Sequence, residues 1–272
     1  MVNGTGGSSV RFRLTSIRVL YGPFVAPSFD VPDPHVPRMS PAMSMTSEQP
    51  SEPQPVITTM PLGSWQTNCH IVHVPQGPDP HGCWLVDCGQ APKLLLDAIA
   101  TRGLQPRGIL LTHCHVDHIM GIDDAQARFG PLPILCHALE RDFNGDPLLN
   151  LSGFAGGPEV RVSAPSAYVA DGDTVDLCGS RWTVRHVPGH SPGSVAYVHG
   201  PSKQALTGDT LFAGSIGRFD FPTSDGAALK RSVLDVLMKL PDDMRISPGH
   251  GPATTIGRER QTNPYVRSPA SW

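Results

Sequence analysis

A chain of 272 residues, 39% hydrophobic and 17% charged, is long enough for one large domain or two small ones with a real core. Its formal charge of −3 and the lack of any lysine or arginine run exclude the electrostatic footprint of a nucleic-acid binder. No apolar run reaches the roughly 18 residues that a membrane span needs.

The chain divides near residue 55. Before it, Pro23, Pro27, Pro32, Pro34, Pro37, Pro41, Pro50, Pro53 and Pro55 interrupt a polar stretch without periodicity, which buries too little surface to offset its ordering entropy. Residues 1 to 55 are therefore expected to be disordered, and residues 56 to 272 to form the folded domain. Arg11, Arg13 and Arg18 superficially suggest a transit peptide, but no amphipathic helix develops and Asp30 and Asp33 spoil the pattern. An overlong start is the competing expectation, with Met43 or Met45 as the true first residue.

Strand signals then come regularly. Asn68 to Val74 alternates, Pro78 to Gly82 is a turn, and Cys83 to Asp87 is a short apolar strand. Pro92 opens a helix whose stripe is Leu94, Leu95, Ala98 and Ile99, and Gly103 ends it. Ile109 to Leu111 predict a buried strand, which runs directly into Thr112-His113-Cys114-His115-Val116-Asp117-His118.

Three histidines and an aspartate within six residues point to a metal site. His113 and His115, two apart at a strand exit, project to the same side and can grip one ion. Asp117 and His118 fall at the start of a helix and face a neighbouring position, so one short segment can serve two ions. Imidazole with a carboxylate suits zinc, iron, nickel or manganese and leaves an open position for water, as a catalytic site requires. Chance or a surface patch is the bland alternative. Against it stand three further segments, each following an apolar run: Gly189-His190-Ser191-Pro192-Gly193, Gly208-Asp209-Thr210 and Gly249-His250-Gly251. Glycine and proline beside each candidate make tight loops that can bring a side chain close to an ion.

Between and after these lie a hairpin over Asp173 to Val187 turning at Cys178-Gly179-Ser180, strands Val195 to His199 and Gln204 to Leu206, and a helix from about Ala227 to Leu240. That helix places Leu229, Val233, Val236, Leu237 and Leu240 on one face. Strand runs, helix, strand runs, helix suggest an α/β fold of two sheets packed face to face with helices outside, an αββα four-layer sandwich. The two halves match only in architecture, with no repeat of motifs.

The chain resembles the metallo-β-lactamase-fold hydrolases, and among them the short glyoxalase II-like (hydroxyacylglutathione hydrolase-like) proteins, over about Val56 to Arg267. The resemblance rests on Thr112 to His118, the three ligand-bearing loops, Gly214-Ser215-Ile216-Gly217-Arg218 and the closing Thr262-Asn263-Pro264-Tyr265. It implies the αββα sandwich and a first metal held by His113, His115 and His190. It also implies a second metal held by Asp117, His118 and His250, with Asp209 bridging the pair. The cofactors implied are two divalent ions, zinc first, with iron or manganese as alternatives. Two ions sharing Asp209 would lower the pKa of a water between them from 15.7 to about 7, and the resulting hydroxide would attack a thioester carbonyl polarised by one ion. Asp117 would both ligate and accept a proton. A thiolate of pKa about 8.5 leaves without a dedicated acid.

Three functional readings follow. The first is a dinuclear hydrolase of small-molecule thioesters such as S-lactoylglutathione. The second is a mononuclear iron persulfide dioxygenase on His113, His115 and His190. The third is a non-enzymatic scaffold of the same fold. Six cysteines without a Cys-x-x-Cys pair read as buried thiols in a reducing cytoplasm. Cys114 either adds a ligand or, as the alternation of a strand favours, points away from its histidine neighbours. His70 stands where the relatives commonly have a tyrosine and either faces the substrate or is satisfied within the sheet. Arg218 either contacts a substrate carboxylate or pairs with Asp220. His186 either supports the ligand loop or packs, His137 is structural, and Trp65 and Phe212 either line the pocket mouth or fill core.

Overall fold

The computed structural model describes residues 53 to 154 and 158 to 268. The expectations for the proline-rich segment therefore lie, up to residue 52, outside the described residues. The described chain forms two six-stranded sheets. The first runs in order β1 (Val56–Leu62), β2 (Thr67–His73), β3 (Gly82–Val86), β4 (Gln105–Leu110), β5 (Ile134–His137) and β6 (Ala167–Val169). Its opening hairpins are antiparallel and β3 to β6 are parallel, connected through α1 (Lys93–Thr101), α2 (Val116–Ile119) and α3 (Ile122–Phe129).

The second sheet begins as an antiparallel meander of β7 (Thr174–Leu177), β8 (Ser180–His186), β9 (Val195–His199) and β10 (Gln204–Gly208). A small hairpin, β11 (Leu211–Phe212) and β12 (Ser215–Ile216), and α4 (Gly226–Arg231) follow. The chain then returns as β13 (Arg245–Pro248), parallel to β10, and β14 (Thr254–Thr255), and closes with α5 (Ile256–Thr262) and α6 (Pro264–Arg267).

Alternation sorts each strand between two apolar layers. On β3, Cys83 and Leu85 pack towards the helices with Leu95, Ile99 and Ile122, while Val86 meets the facing sheet with Val72, Leu110, Trp182, Tyr197 and Leu206. On β9, Ala196 and Val198 join Leu229, Val233 and Ile246 in the second helix layer, while Val195 and Tyr197 enter the layer between the sheets. Helix, sheet, sheet, helix is the αββα sandwich, with three apolar layers between its four structural ones.

Two helical expectations are corrected. On α1 the buried face is Leu95, Leu96 and Ile99, while Leu94 is 70% exposed. Leu94 and Leu96 flank the stripe from opposite sides, and the roll of the helix on the sheet chooses between them. The helix expected over Ala227 to Leu240 is α-helical only to Arg231; Ser232–Val236 widens to a π-turn and Leu237–Lys239 tightens to a 3₁₀ turn. Arg260 takes the carbonyls of Met238 and Leu240 at 2.6 and 2.8 Å, at the end of the last turn.

Candidate metal centre

The candidate ligands lie beyond the C-terminal ends of strands, in the following loops or, for Asp117 and His118, in the first turn of α2. β4 ends at Leu110, and the chain then runs irregularly through His113 before turning into α2 at His115. His190 lies in the β8–β9 connection, Asp209 directly after β10, and His250 directly after β13. The parallel pairing of β10 with β13 sets Asp209 and His250 side by side.

Three donor groups result, each with ligand atoms within 4.8 Å of one another: His113, His115 and His190; His113, His118 and Asp209; and Asp117, His118 and His250. His115 Nδ1 lies 2.9 Å from His190 Nε2. The His113 ring is 4.7 Å from that of His115 and 4.9 Å from that of His190. His118 Nε2 lies 3.4 Å from Asp117 Oδ2 and 3.3 Å from Asp209 Oδ1, and His250 Nε2 lies 3.1 and 3.4 Å from the same two carboxylates. Asp209 thus touches the group on either side of it, also coming within 3.6 Å of His190 Nε2. All seven ligand positions expected from the sequence converge.

In three of the rings the far nitrogen settles what the near one can offer. His118 Nδ1 donates to Asp87 Oδ2 at 2.8 Å, His190 Nδ1 to the Arg218 carbonyl at 2.8 Å and His250 Nδ1 to the Trp65 carbonyl at 3.1 Å. Such bonds leave Nε2 as a lone pair aimed at the other donors, the arrangement by which protein imidazoles are held ready for metals. The buried Nε2 atoms of His113 and His118, and Asp209 Oδ1, have no hydrogen-bond partner. Buried polar atoms are rarely orphaned, so a cluster of them directed at one another fits two divalent cations, one in the His113, His115 and His190 group and one in the Asp117, His118 and His250 group.

Without cations the same groups balance charge by protons. Burial holds the His113, His115 and His190 rings below their ordinary pKa. Burial acts the same way on His118 and His250, but the surrounding carboxylates outweigh it: His118 is raised well above its usual range and His250 to about 10. Burial opposes ionisation of Asp117, yet His118 and His250 hold it down to about 2, and Asp209 is lowered likewise.

Four supporting residues escaped the sequence reading. Asp87 accepts from the Thr112 amide and hydroxyl, both at 2.8 Å, as well as from His118. Its backbone sits at φ 59°, a strained conformation of the kind that clusters at functional sites. Glu140, fully buried, accepts from the Cys114 amide at 2.5 Å, the Gly193 amide at 2.8 Å and the Ser191 hydroxyl, joining the His113–His115 segment to the His190 loop. Thr67 donates to Asp117 Oδ2 at 2.9 Å. Asn68 donates to the Pro248 and Gly251 carbonyls at 2.9 and 2.8 Å, on either side of His250. An acid closing an apolar strand before glycine, as in Val86-Asp87-Cys88-Gly89, was the available signal for Asp87. Glu140 carried none.

The other candidates separate cleanly. His70 does not reach the cavity: it is buried in β2, with Nδ1 on the Thr59 hydroxyl at 2.9 Å. Arg218 lines the cavity and makes a two-pronged ion pair with Asp220 at 2.9 Å. His186 donates to the Pro192 carbonyl at 2.9 Å and stacks on His137 at 4.2 Å, steadying the His190 loop. The buried Cys114 belongs to the apolar layer between sheet and helices and so is turned from the ligands, although it sits in the irregular segment after β4 and not on the strand itself. Trp65 and Phe212 line a cavity of about 690 Å³ over the donor groups, which Asp117, Asp209, His115, His190 and His250 also line.

Residues 62–250 match the family model described as the metallo-beta-lactamase superfamily. The chain is 32% identical over 214 residues to hydroxyacylglutathione hydrolase GloC of Haemophilus influenzae, covering 78% of this chain and 98% of that one. It is 32% identical over 208 residues to the probable metallo-hydrolase YqgX of Bacillus subtilis, covering 76% and 95%. Among solved structures, the BLEG-1 B3 metallo-beta-lactamase superposes with a TM-score of 0.73 at 32% identity, covering 78% of this chain and 99% of that one. The di-iron-bound form of TTHA1623 superposes with a TM-score of 0.66 at 35% identity, covering 76% and 99%.

Proposed function

The chain belongs to the metallo-beta-lactamase superfamily, and from that premise we propose that this metallo-hydrolase is a dinuclear thioesterase of the glyoxalase II kind, with S-lactoylglutathione as its reference substrate. The observation that carries the reading is the second donor group, Asp117, His118 and His250, complete beside the first and joined to it through Asp209. His113, His115 and His190 would hold one ion and the second group the other, zinc first and iron or manganese as alternatives. When bound, the ions supply an activated water and positive charge for the carbonyl oxygen.

The chain's own residues do the remaining work. Asp87, the Arg218 carbonyl and the Trp65 carbonyl fix the rings of His118, His190 and His250, so the ligands need no rearrangement on loading. Asp117 lines the cavity with one carboxylate oxygen held by Thr67 and His250, placing it to receive a proton from the attacking water. A thiolate product, of ordinary pKa about 8.5, departs without a protonated side chain. The Haemophilus influenzae relative named as a hydroxyacylglutathione hydrolase supports the thioester class, and the di-iron structure supports two ions. Six free, buried cysteines support a place in a reducing cytoplasm.

The test is metal content per chain after purification without added metal, together with hydrolysis of S-lactoylglutathione and a β-lactam as control. The expected result is about two ions per chain with thioester turnover. One iron per chain, no hydrolysis and oxygen uptake on glutathione persulfide would overturn the reading. Asp209→Ala should lose both ions or their coupling and abolish turnover; a metal-replete, active variant would sink the dinuclear site.

A further inference from the structure

The cavity over the metal groups is walled mostly by apolar side chains from four separate loops. Trp65 comes from the β1–β2 connection, Phe154 from the turn after α3 and β5, Phe212 from the β11–β12 hairpin and Phe221 from the segment before α4. Phe221 stands edge-on to His115 and His190 at 5.6 and 5.7 Å, and Phe212 edge-on to His250 at 6.0 Å. Two aromatics thus touch the ligand rings themselves, while Trp65 and Phe154, 40% and 61% exposed, form the outer rim.

Charge is the counterpart of this wall. Among the described residues, Arg218 is the lone lysine or arginine lining the cavity. The Nε and Nη2 edge of its guanidinium is engaged by Asp220, and its face lies 4.4 Å over the Phe221 ring. A glutathione thioester brings two carboxylates, and carboxylates are recognised by free arginine forks or backbone amides. An uncharged aromatic or branched group gains from burial against such walls and leaves no ion unpaired.

Resting on the thioesterase reading, we infer that the preferred substrate is a thioester whose non-reacting part is uncharged and largely apolar, and that glutathione thioesters are poor surrogates for it. Phe154 and Trp65 are the specificity-determining residues, flanking that part at the outer rim while Phe212 and Phe221 line the wall beside the histidine rings.

The experiment compares two thioesters with the same lactoyl group, S-benzyl thiolactate and S-lactoylglutathione, on the zinc-loaded full chain. The benzyl ester is expected to show a KM at least about tenfold lower. Phe154→Ser, at an exposed position that the fold does not need, should shrink that preference about fivefold. Equal or lower KM for the glutathione ester, or a preference unchanged in Phe154→Ser, would overturn the inference. If neither ester is hydrolysed, the thioesterase reading fails by itself. Calorimetric binding of the uncleavable thioethers, benzyl 2-hydroxypropyl sulfide and S-(2-hydroxypropyl)glutathione, then decides the inference: tighter binding of the benzyl compound supports it, and tighter binding of the glutathione compound overturns it.

Discussion

Glu140 reaches three donors on two ligand-bearing segments from a position with no exposure to solvent. Burial raises its pKa, and the hydrogen bonds from Ser191, Gly193 and Cys114 oppose that rise. Glu140→Ala strands those donors and is expected to cost about 2–4 kcal/mol of unfolding free energy, with Glu140→Gln costing less; urea unfolding of both variants measures it. Weaker zinc binding at the His115 and His190 group should accompany the loss. His70 gives a pH test. Burial lowers its pKa to about 4 from an ordinary 6.5, so below pH 6.5 the unfolded chain binds a proton that the folded chain refuses. Stability therefore falls with pH between about 6.5 and 4. His70→Gln should recover up to about 2 kcal/mol of that loss by pH 5 relative to wild type; parallel pH profiles of the two proteins would contradict the shift. Residues such as Glu140 and His70 mark the boundary of what a sequence tells. Ligands declare themselves by density and by flanking glycine, but a buried acid far along the chain has no local signature.

Among the elements, the strands were the most legible, because period-two alternation and short apolar runs report burial directly. Positions of turns at Cys178-Gly179 and of β4 before the histidine motif follow the same logic. Helix faces were less so: the roll that buries Leu96 and exposes Leu94 depends on the sheet beneath, not on the helix's own period. The loop after β13 shows how tightly an element can be specified. A β-carbon on Gly249 would stand 2.0 Å from Asp209 Oδ1 and 2.8 Å from His118 Cε1. Gly249→Ala is thus expected to displace the Asp209 carboxylate and reduce metal stoichiometry to about one per chain, measured by elemental analysis. Asn68 holds the same loop from the other sheet, and its removal leaves the Pro248 and Gly251 carbonyls without that partner. Asn68→Ala should cost about 1–3 kcal/mol in unfolding free energy and weaken the His250 group before the His113 group.

At the level of the whole molecule, the αββα architecture was legible because strand and helix runs alternate in two halves, while the packing of one sheet on the other rests on long-range matches such as Tyr197 donating to the Leu111 carbonyl at 2.9 Å. Metal exchange and proton exchange are coupled across this molecule. His118 and His250 are held protonated by Asp117 and Asp209, and a metal takes only neutral imidazole. Zinc binding at pH 7.5 should therefore release about two protons per chain, read by calorimetry in buffers of different ionisation enthalpy, with affinity falling as pH falls. The ligands themselves divide unevenly: His113, His115, Asp117 and His118 follow a strand of the first sheet, whereas His190, Asp209 and His250 belong to the second. An ion held in either group would consequently be a rivet through a seam. Chelation should leave each half's own ladder of amides as slow to exchange with deuterium as before, while the amides of Asn68 and Val195, which stitch the halves at that seam by donating to the Gly249 and Thr112 carbonyls, begin to breathe.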